Sequence, residues 1–415
     1  MILIKIGRRF AKINLEMIEN RIYRTLSIVC IMLFLYSCGE KKSSLLISDG
    51  TVFKPEARFP KFSWNTTPMY YHFGDIDRVL KPEEVKFIAE RTDFICIEKS
   101  HAFNMVGDAV LGTKHEVEAF HKIKPGIKVL FYFNSFVAWP FTRFNKELTP
   151  DGIAKNPDLK KFLVIDPKTG KLMEKTNGAA LSYYFDALNP NFRKWWIASV
   201  VKGVEISGSD GVFIDRMNVD GHSGYPKDKA AEVEKAKGEM MAALKEKLGP
   251  NKILLGNNAA DNKDVFPFCD AFTFEHYNET VTNKENLLKE WGDMVRVAKA
   301  GKMAIYRFGA KGKGPSPEIG GGTRAEGMLK RSMQQLEFYL ACYLIGAQPY
   351  SYFQYNWGWN LSDGNLVDYP ELSKQLGEPK EAFKRITPEG WEFTREFEHA
   401  SVWVDTEKRK AKITW

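Results

Sequence analysis

The feature that most constrains this chain is a recurrence. Eight short apolar runs stand along it: Met69–Phe73, Phe94–Glu98, Ile127–Phe133, Val212–Ile214 ending at Asp215, Ile253–Asn257, Ala271–Glu275, Met303–Arg307 and Tyr350–Gln354. Runs this short, flanked by Gly, Asn, Asp and Pro, suit buried strands better than core helices. Helical signals fill most of the gaps. Lys81–Arg91 carries Pro82 near its first turn, Thr113–Lys122 follows, and Asn189-Pro190 caps a helix running towards Val204. Lys227–Leu248 is amphipathic and stops at Gly249-Pro250, and Asn286–Ala300 and Arg324–Leu344 complete the set. Strands alternating with helices make a parallel sheet, and eight of them predict an α/β fold, a (β/α)8 TIM barrel over residues 66–370.

Two departures from regular alternation are expected. Residues 135–189 form a long insertion, in which Asp166-Pro-Lys-Thr-Gly170 reads as a hairpin turn between Phe162–Ile165 and Lys171–Met173. Long insertions on the loop side of a barrel usually serve binding. Residues 371–415 contain Trp391–Phe397, Ala400–Val404 and Ala411–Trp415, which predict a small C-terminal antiparallel β appendage.

The amino end reads as an address. Arg21 and Arg24 precede an apolar run from Leu26 to Tyr36, and Leu35-Tyr36-Ser37-Cys38 resembles the lipobox of bacterial lipoproteins, although Tyr36 is bulkier than the usual small residue. Residues 1–38 are expected to be a lipoprotein signal peptide with Cys38 lipidated, from a start at Met1 or Met17, and an uncleaved signal anchor is the alternative. Residues 39–65 are then a tether and lead-in. This places the protein in a bacterial cell envelope, on the outer membrane or cell surface. The formal charge of +8 does not argue for nucleic acid, because residues 1–37 hold six basic residues against Glu16 and Glu19, half of the excess. Cys96, Cys269 and Cys342 lie in apolar surroundings without metal-ligand spacing, so free buried thiols are expected, with neither metal nor cofactor.

The predicted strand ends carry the chemistry. They present Tyr71, His72, Glu98, Asn134, Asp215, Asn257, Glu275, Arg307 and Gln354, with Trp139, Tyr277, Trp357 and Trp359 in the loops that follow. Carboxyl groups, amides and flat rings together suit a carbohydrate. Glycoside hydrolysis needs one carboxylate to attack or stabilise the anomeric carbon and one carboxyl group to protonate the leaving oxygen. Asp215 on strand four is the expected nucleophile or charge stabiliser, and Glu275 on strand six the general acid/base. Glu98 competes for the acid role, or pairs with Lys99 or Arg307. Asp215 has a purely structural alternative as a helix N-cap or partner of Arg307. His101 and His222 are further polar candidates that nothing fixes. The readings that follow are a glycoside hydrolase acting on an oligo- or polysaccharide, a non-catalytic glycan-binding lipoprotein, and a polysaccharide lyase using Tyr277, His276 or Arg307.

Gly211-Val-Phe-Ile-Asp215, Phe272-Thr-Phe-Glu275 and Tyr343-Leu-Ile-Gly-Ala-Gln-Pro-Tyr-Ser-Tyr-Phe353 resemble the glycosyl hydrolase-like barrels of hypothetical glycosyl hydrolase family fifteen, over roughly Met69 to Phe397. The barrel is also similar to endo-α-1,4-polygalactosaminidases and, more distantly, to the α-galactosidase clan. In that clan the nucleophile ends strand four and the acid/base ends strand six, which implies those roles for Asp215 and Glu275. α-Galactosidases use aspartate at both places, so Glu275 departs from their pattern and the sugar stays open.

Overall fold

A computed structural model describes residues 45–177, 180–217, 227–275, 283–310 and 324–415. The eight strands are β1 Tyr71–Phe73, β2 Phe94–Ile97, β3 Lys128–Asn134, β4 Gly211–Asp215, β5 Ile253–Asn257, β6 Ala271–Glu275, β7 Met303–Phe308 and β8 Ser351–Tyr355. They pair in parallel in chain order. The sheet closes on itself: Met69 bridges Phe353, with Tyr70 N donating to Phe353 O at 2.9 Å and Phe353 N to Pro68 O at 2.7 Å. The helices expected from sequence form at α1 Pro82–Ala89, α2 Ala109–Ile123, α3 Pro190–Ser207, α4 Ala230–Leu248, α5 Lys284–Lys299 and α6 Arg324–Gly346. A 3-10 turn, Phe266–Phe268, stands in the short connection between β5 and β6.

Alternation along each strand separates two cores. Inside the barrel lie Tyr70, Phe94, Cys96, Leu130, Tyr132, Phe213, Leu255, Met303, Ile305 and Tyr352, while Tyr71, Phe73, Ile95, Val129, Phe131 and Ile214 pack in the outer layer with the helices. The lead-in supplies a plug for the inner core. Phe53 and Phe62 stack on Tyr350 at 4.7 and 4.9 Å between ring centroids, so the aromatic lead-in packs into the barrel core.

The face at the amino ends of the strands is held by acids that just precede them. Asp210 accepts from Val129 N at 3.0 Å, and Asp270 from Leu254 N at 2.8 Å and from Arg58 Nη2 at 2.6 Å. Buried, charge-assisted bonds here bear on stability, since catalytic groups gather at the opposite face.

Helix α2 begins four residues earlier than expected. Asp108 caps it by accepting from Val110 N at 3.0 Å, and Gly112 lets it pass so close to the preceding loop that a Cβ would stand 2.3 Å from His101 O. The insertion contains the expected turn, with Ile165 bridging Leu172, and a second hairpin of Glu174–Asn177 with Ala180–Tyr183.

Beyond the barrel, β9 Lys384–Arg385, β10 Glu392–Glu396, β11 Ser401–Asp405 and β12 Lys410–Thr414 form one antiparallel sheet, with one more strand than expected. Phe393, Val402, Val404 and Ile413 make its buried face. From the same sheet Arg395 reaches the end of α6, where Nη1 donates to the carbonyls of Leu344, Ile345 and Ala347 at 2.9, 3.0 and 2.6 Å. A cation on orphan C-terminal carbonyls satisfies groups that the helix itself leaves open. Residues 45–415 form one compact unit, and among the described residues no helix is long and apolar enough to cross a membrane.

Candidate active site

The carboxyl ends of β3 to β6 bring four of the expected residues into one hydrogen-bonded group. Asp215 Oδ2 accepts from Tyr132 OH at 2.6 Å and from Asn134 Nδ2 at 2.9 Å, while Oδ1 accepts from Asn257 Nδ2 at 2.9 Å. The same Asn257 nitrogen lies 3.2 Å from Glu275 Oε2, which also accepts from Asn258 Nδ2 at 3.0 Å. Sharing one nitrogen at 2.9 and 3.2 Å limits these two carboxyl oxygens to a separation of about 6 Å, on the scale at which the carboxyl pairs of glycosidases work. Glu275 Oε1 accepts no bond from the described residues. Both carboxyl groups are partly exposed.

The backbone that sets this group is unusual in one respect. Arg216 (φ 64) and Asn258 (φ 50) adopt left-handed conformations just beyond Asp215 and Asn257. Non-glycine residues held this way cost about 1–3 kcal/mol and cluster at functional sites. Lys237, reaching in from α4, donates to Arg216 O at 2.6 Å. Burial, reinforced by the Arg216 guanidinium and opposed by Asp215, lowers its ammonium to about 7.

On the β1–β2 side Glu98 is 4% exposed. Its Oε2 lies 3.1 Å from His72 Nε2, and Lys99 Nζ bonds its other oxygen. Burial disfavours its charge, but the Lys99 ammonium and His72 outweigh that and hold the carboxyl down at about 2. Glu98 thus stands as the partner of Lys99 and His72, with its charged form favoured. Lys99 is itself raised: burial opposes its charge, and Glu98, Asp215 and Glu275 together prevail.

A wall of cations and rings completes the rim. Trp359 lies 4.8 Å from the His72 ring, and the Arg307 guanidinium sits over its face at 4.1 Å. Arg307 Nε donates to Asn356 Oδ1 at 3.0 Å. Gly74 N donates to Trp359 O at 2.8 Å, and a Cβ on Gly74 would meet Glu98 Cβ at 2.9 Å, so only glycine lets this loop lie down on β2. Gln354, 1% exposed and in register with Arg307, brings to the inner face of β8 an amide with no hydrogen-bond partner among the described residues.

Other expected residues stand apart. Tyr71 is corrected: it alternates with His72, so it points away from the lumen and packs in the outer layer. Trp357 packs its indole against Gly364, and Trp139 lies in the insertion, where its carbonyl accepts from Asn145 Nδ2 at 2.9 Å. His101 is fully buried, with Nε2 2.8 Å from Glu116 Oε1 and Nδ1 accepting from Asp75 N at 3.1 Å, which makes it a brace for the β1 loop. Tyr277, His276, His222, Asp220 and the whole of residues 1–44, Cys38 included, lie outside the described residues. The residues that strand ends alone did not reveal are Tyr132, Asn356 and Lys237, while Lys99 pairs with Glu98 as the sequence allowed. Among the described residues no group of three or more His, Cys, Asp and Glu side chains is arranged to hold a metal ion, and Cys96, Cys269 and Cys342 are buried free thiols.

The sequence pattern of hypothetical glycosyl hydrolase family 15 matches residues 121–401, about two thirds of the chain. The chain belongs to this family. It is therefore a glycoside hydrolase by family, with the strand-end carboxyl pair lying inside the matched span. A comparison with curated proteins finds no match. Similar solved structures include the glycoside hydrolase domain of PelA from Pseudomonas aeruginosa, at 13% identity, covering 70% of this chain and 95% of that one, TM-score 0.42. Ega3 of Aspergillus fumigatus, solved in complex with galactosamine, shares 13% identity over 76% of this chain and 98% of that one, TM-score 0.43. An α-galactosidase from Thermus thermophilus shares 16% identity over 85% of this chain and 68% of that one, TM-score 0.45.

Proposed function

We propose that the protein hydrolyses an O-glycosidic bond of an oligo- or polysaccharide with Asp215 and Glu275 as its carboxyl pair. The observation that carries this is the shared donor: one Asn257 nitrogen bonds both groups, at 2.9 and 3.2 Å, across a partly open rim. Tyr132, Asn134 and Asn257 all donate to Asp215, which orients it as an acceptor facing the anomeric carbon. Among the described residues Glu275 is bonded through Oε2 alone, and Oε1 is the oxygen that would give a proton to the leaving group and then take one from water. A separation of at most about 6 Å between the bonded oxygens suits a covalent glycosyl intermediate and retention better than a water held between more distant groups.

A purely glycan-binding barrel would favour Asp215 locked in an ion pair with Arg307. Asp215 instead takes its hydrogen bonds from neutral donors, and Arg307 stacks on Trp359, where it suits a substrate wall. The reading extends to an enzyme held at the bacterial envelope through Cys38, on the strength of the lipobox-like sequence alone.

The test is a screen against a panel of polysaccharides, with the products' anomeric form followed by proton NMR from the first turnovers. Asp215→Asn and Glu275→Gln are each expected to abolish hydrolysis while circular dichroism and melting temperature stay close to those of the unaltered protein. Full activity in either variant refutes the assignment, and inverted product refutes the retaining course.

A further inference from the structure

Asn258 meets Glu275 at both ends of its amide. The paired residues of β5 and β6 end at Asn257 opposite Thr273, and Asn258 N still donates to Thr273 O at 3.0 Å. There the main chain of Asn258 turns left-handed, at φ 50, and its side chain carries the contact on: Glu275 N donates to Asn258 Oδ1 at 3.1 Å. Asparagine tolerates this conformation better than most residues, because its short polar side chain bonds locally. The other end of the amide, Nδ2, lies 3.0 Å from Glu275 Oε2.

The orientation of that amide follows from its partners. A backbone N–H can only donate, so the amide oxygen must face Glu275 N and the NH2 group must face the carboxyl group. Asn257 Nδ2 reaches the same Oε2 at 3.2 Å, which therefore accepts from two amides while Oε1 accepts from none of the described residues. A protonated carboxyl group has one carbonyl oxygen, the better acceptor, and one hydroxyl. Two donors on Oε2 make it the carbonyl oxygen, so the proton belongs on Oε1. Hydrogen bonds to a carboxylate are stronger than those to the neutral acid, so the same donors stabilise the anion left when the proton departs.

We propose that Asn258 is a positioning residue for the acid step, placing the Glu275 proton on Oε1 for delivery to the leaving group. This rests on the reading of Glu275 as the general acid. As the bond from the anomeric carbon to the leaving oxygen breaks and Asp215 bonds that carbon, the proton passes from Oε1 to the departing oxygen. The electron pair of the O–H bond stays on Glu275 as the carboxylate, whose charge spreads to Oε2 and the N–H groups there. Asn257 divides its nitrogen between Asp215 and Glu275, whereas the Asn258 side chain bonds Glu275 alone among the described residues. A change at Asn258 therefore acts on the acid and spares the contacts of the nucleophile.

The experiment compares kcat/KM of the full chain on the phenyl and 2,4-dinitrophenyl glycosides of the sugar unit released from the polysaccharide that the panel identifies. Phenoxide leaves poorly and needs the proton, whereas dinitrophenoxide leaves without it, so the ratio of the two losses reads acid catalysis and not general damage. Asn258→Gly keeps the left-handed backbone, which glycine adopts freely, and removes both side-chain bonds. Asn258→Asp keeps an acceptor for Glu275 N, but the new carboxylate accepts where the amide donated and draws the proton onto Oε2. Each should lose about tenfold more on the phenyl than on the dinitrophenyl glycoside, the size of one hydrogen bond to a charged group. Glu275→Gln should show the same split, and a larger one. The proposal is overturned if Asn258→Asp matches the unaltered protein on both substrates, since Asn258 then only extends the strand pairing, or if Asn258→Gly loses equally on both. A Glu275→Gln protein that loses equally on both removes the acid assignment and this inference with it, whereas a split in Glu275→Gln without one in either Asn258 variant removes this inference alone.

Discussion

Tyr132→Phe tests how the site is held. The substitution removes one oxygen, 2.6 Å from Asp215 Oδ2, and leaves the ring stacked on Phe213 at 5.7 Å between centroids, so core packing is preserved. Burial and the neighbouring Asp215 raise the pKa of this phenol well above the ordinary tyrosine value, so it remains a donor throughout the working range. Asp215 keeps Asn134 and Asn257 and should stay roughly in place. A hydrogen bond to a charged group contributes about 1.5–3 kcal/mol, which predicts a loss of roughly 10- to 150-fold in kcat/KM. Because the bond acts on the reacting carboxyl rather than on the sugar's remote contacts, the loss should fall on kcat, with KM nearly unchanged. The assay is initial-rate kinetics on a substrate identified by the polysaccharide panel. If Tyr132→Phe stays within about twofold of the unaltered enzyme, Tyr132 does not tune the nucleophile.

Three further outcomes are expected. Glu98, held at about 2 instead of 4.5, adds about 3 kcal/mol of stability that is fully present above pH 4.5 and fades as pH falls through 2; thermal melts of Glu98→Gln should therefore be lower than those of the unaltered protein at neutral pH and flatter across that acid window. Arg395→Met strips three carbonyls at the end of α6 of their donor and should destabilise the protein by about 3 kcal/mol in urea unfolding, a result that a near-neutral variant would contradict. Gly112→Ala pushes a methyl group to 2.3 Å from His101 O and should cost about 1–3 kcal/mol, read as a lowered melting temperature.

The barrel was legible because its information is local. Each strand is a short run with turn formers at its ends, and the eight runs fall within a few residues of the observed strands. The start of α2 lies four residues before Thr113, at the Asp108 cap, and takes in Gly112, which serves as a close-packing point inside the helix. At the site, strand ends announced Asp215, Asn257 and Glu275, since one residue per strand closes the inner face. Tyr71 was drawn in wrongly because two adjacent residues of one strand cannot both face the lumen. Tyr132 had a usable signal: it stands two residues before Asn134 and so shares its face. Lys99 was open in the sequence as a partner of its neighbour Glu98, and that pair forms; Lys237 and Asn356 had no signal, because their roles depend on which carbonyl or guanidinium another element brings within reach.

Barrel closure sets a timetable for the newborn chain. The bridge from Met69 to Phe353 joins residues more than 280 positions apart, and at about 5–20 residues per second the ribosome needs roughly 15–60 s to make the intervening segment. Throughout that interval the first strand waits with one edge unpaired, open to any other extended segment that comes near. Whatever occupies that edge during synthesis decides how much of the chain reaches the finished ring.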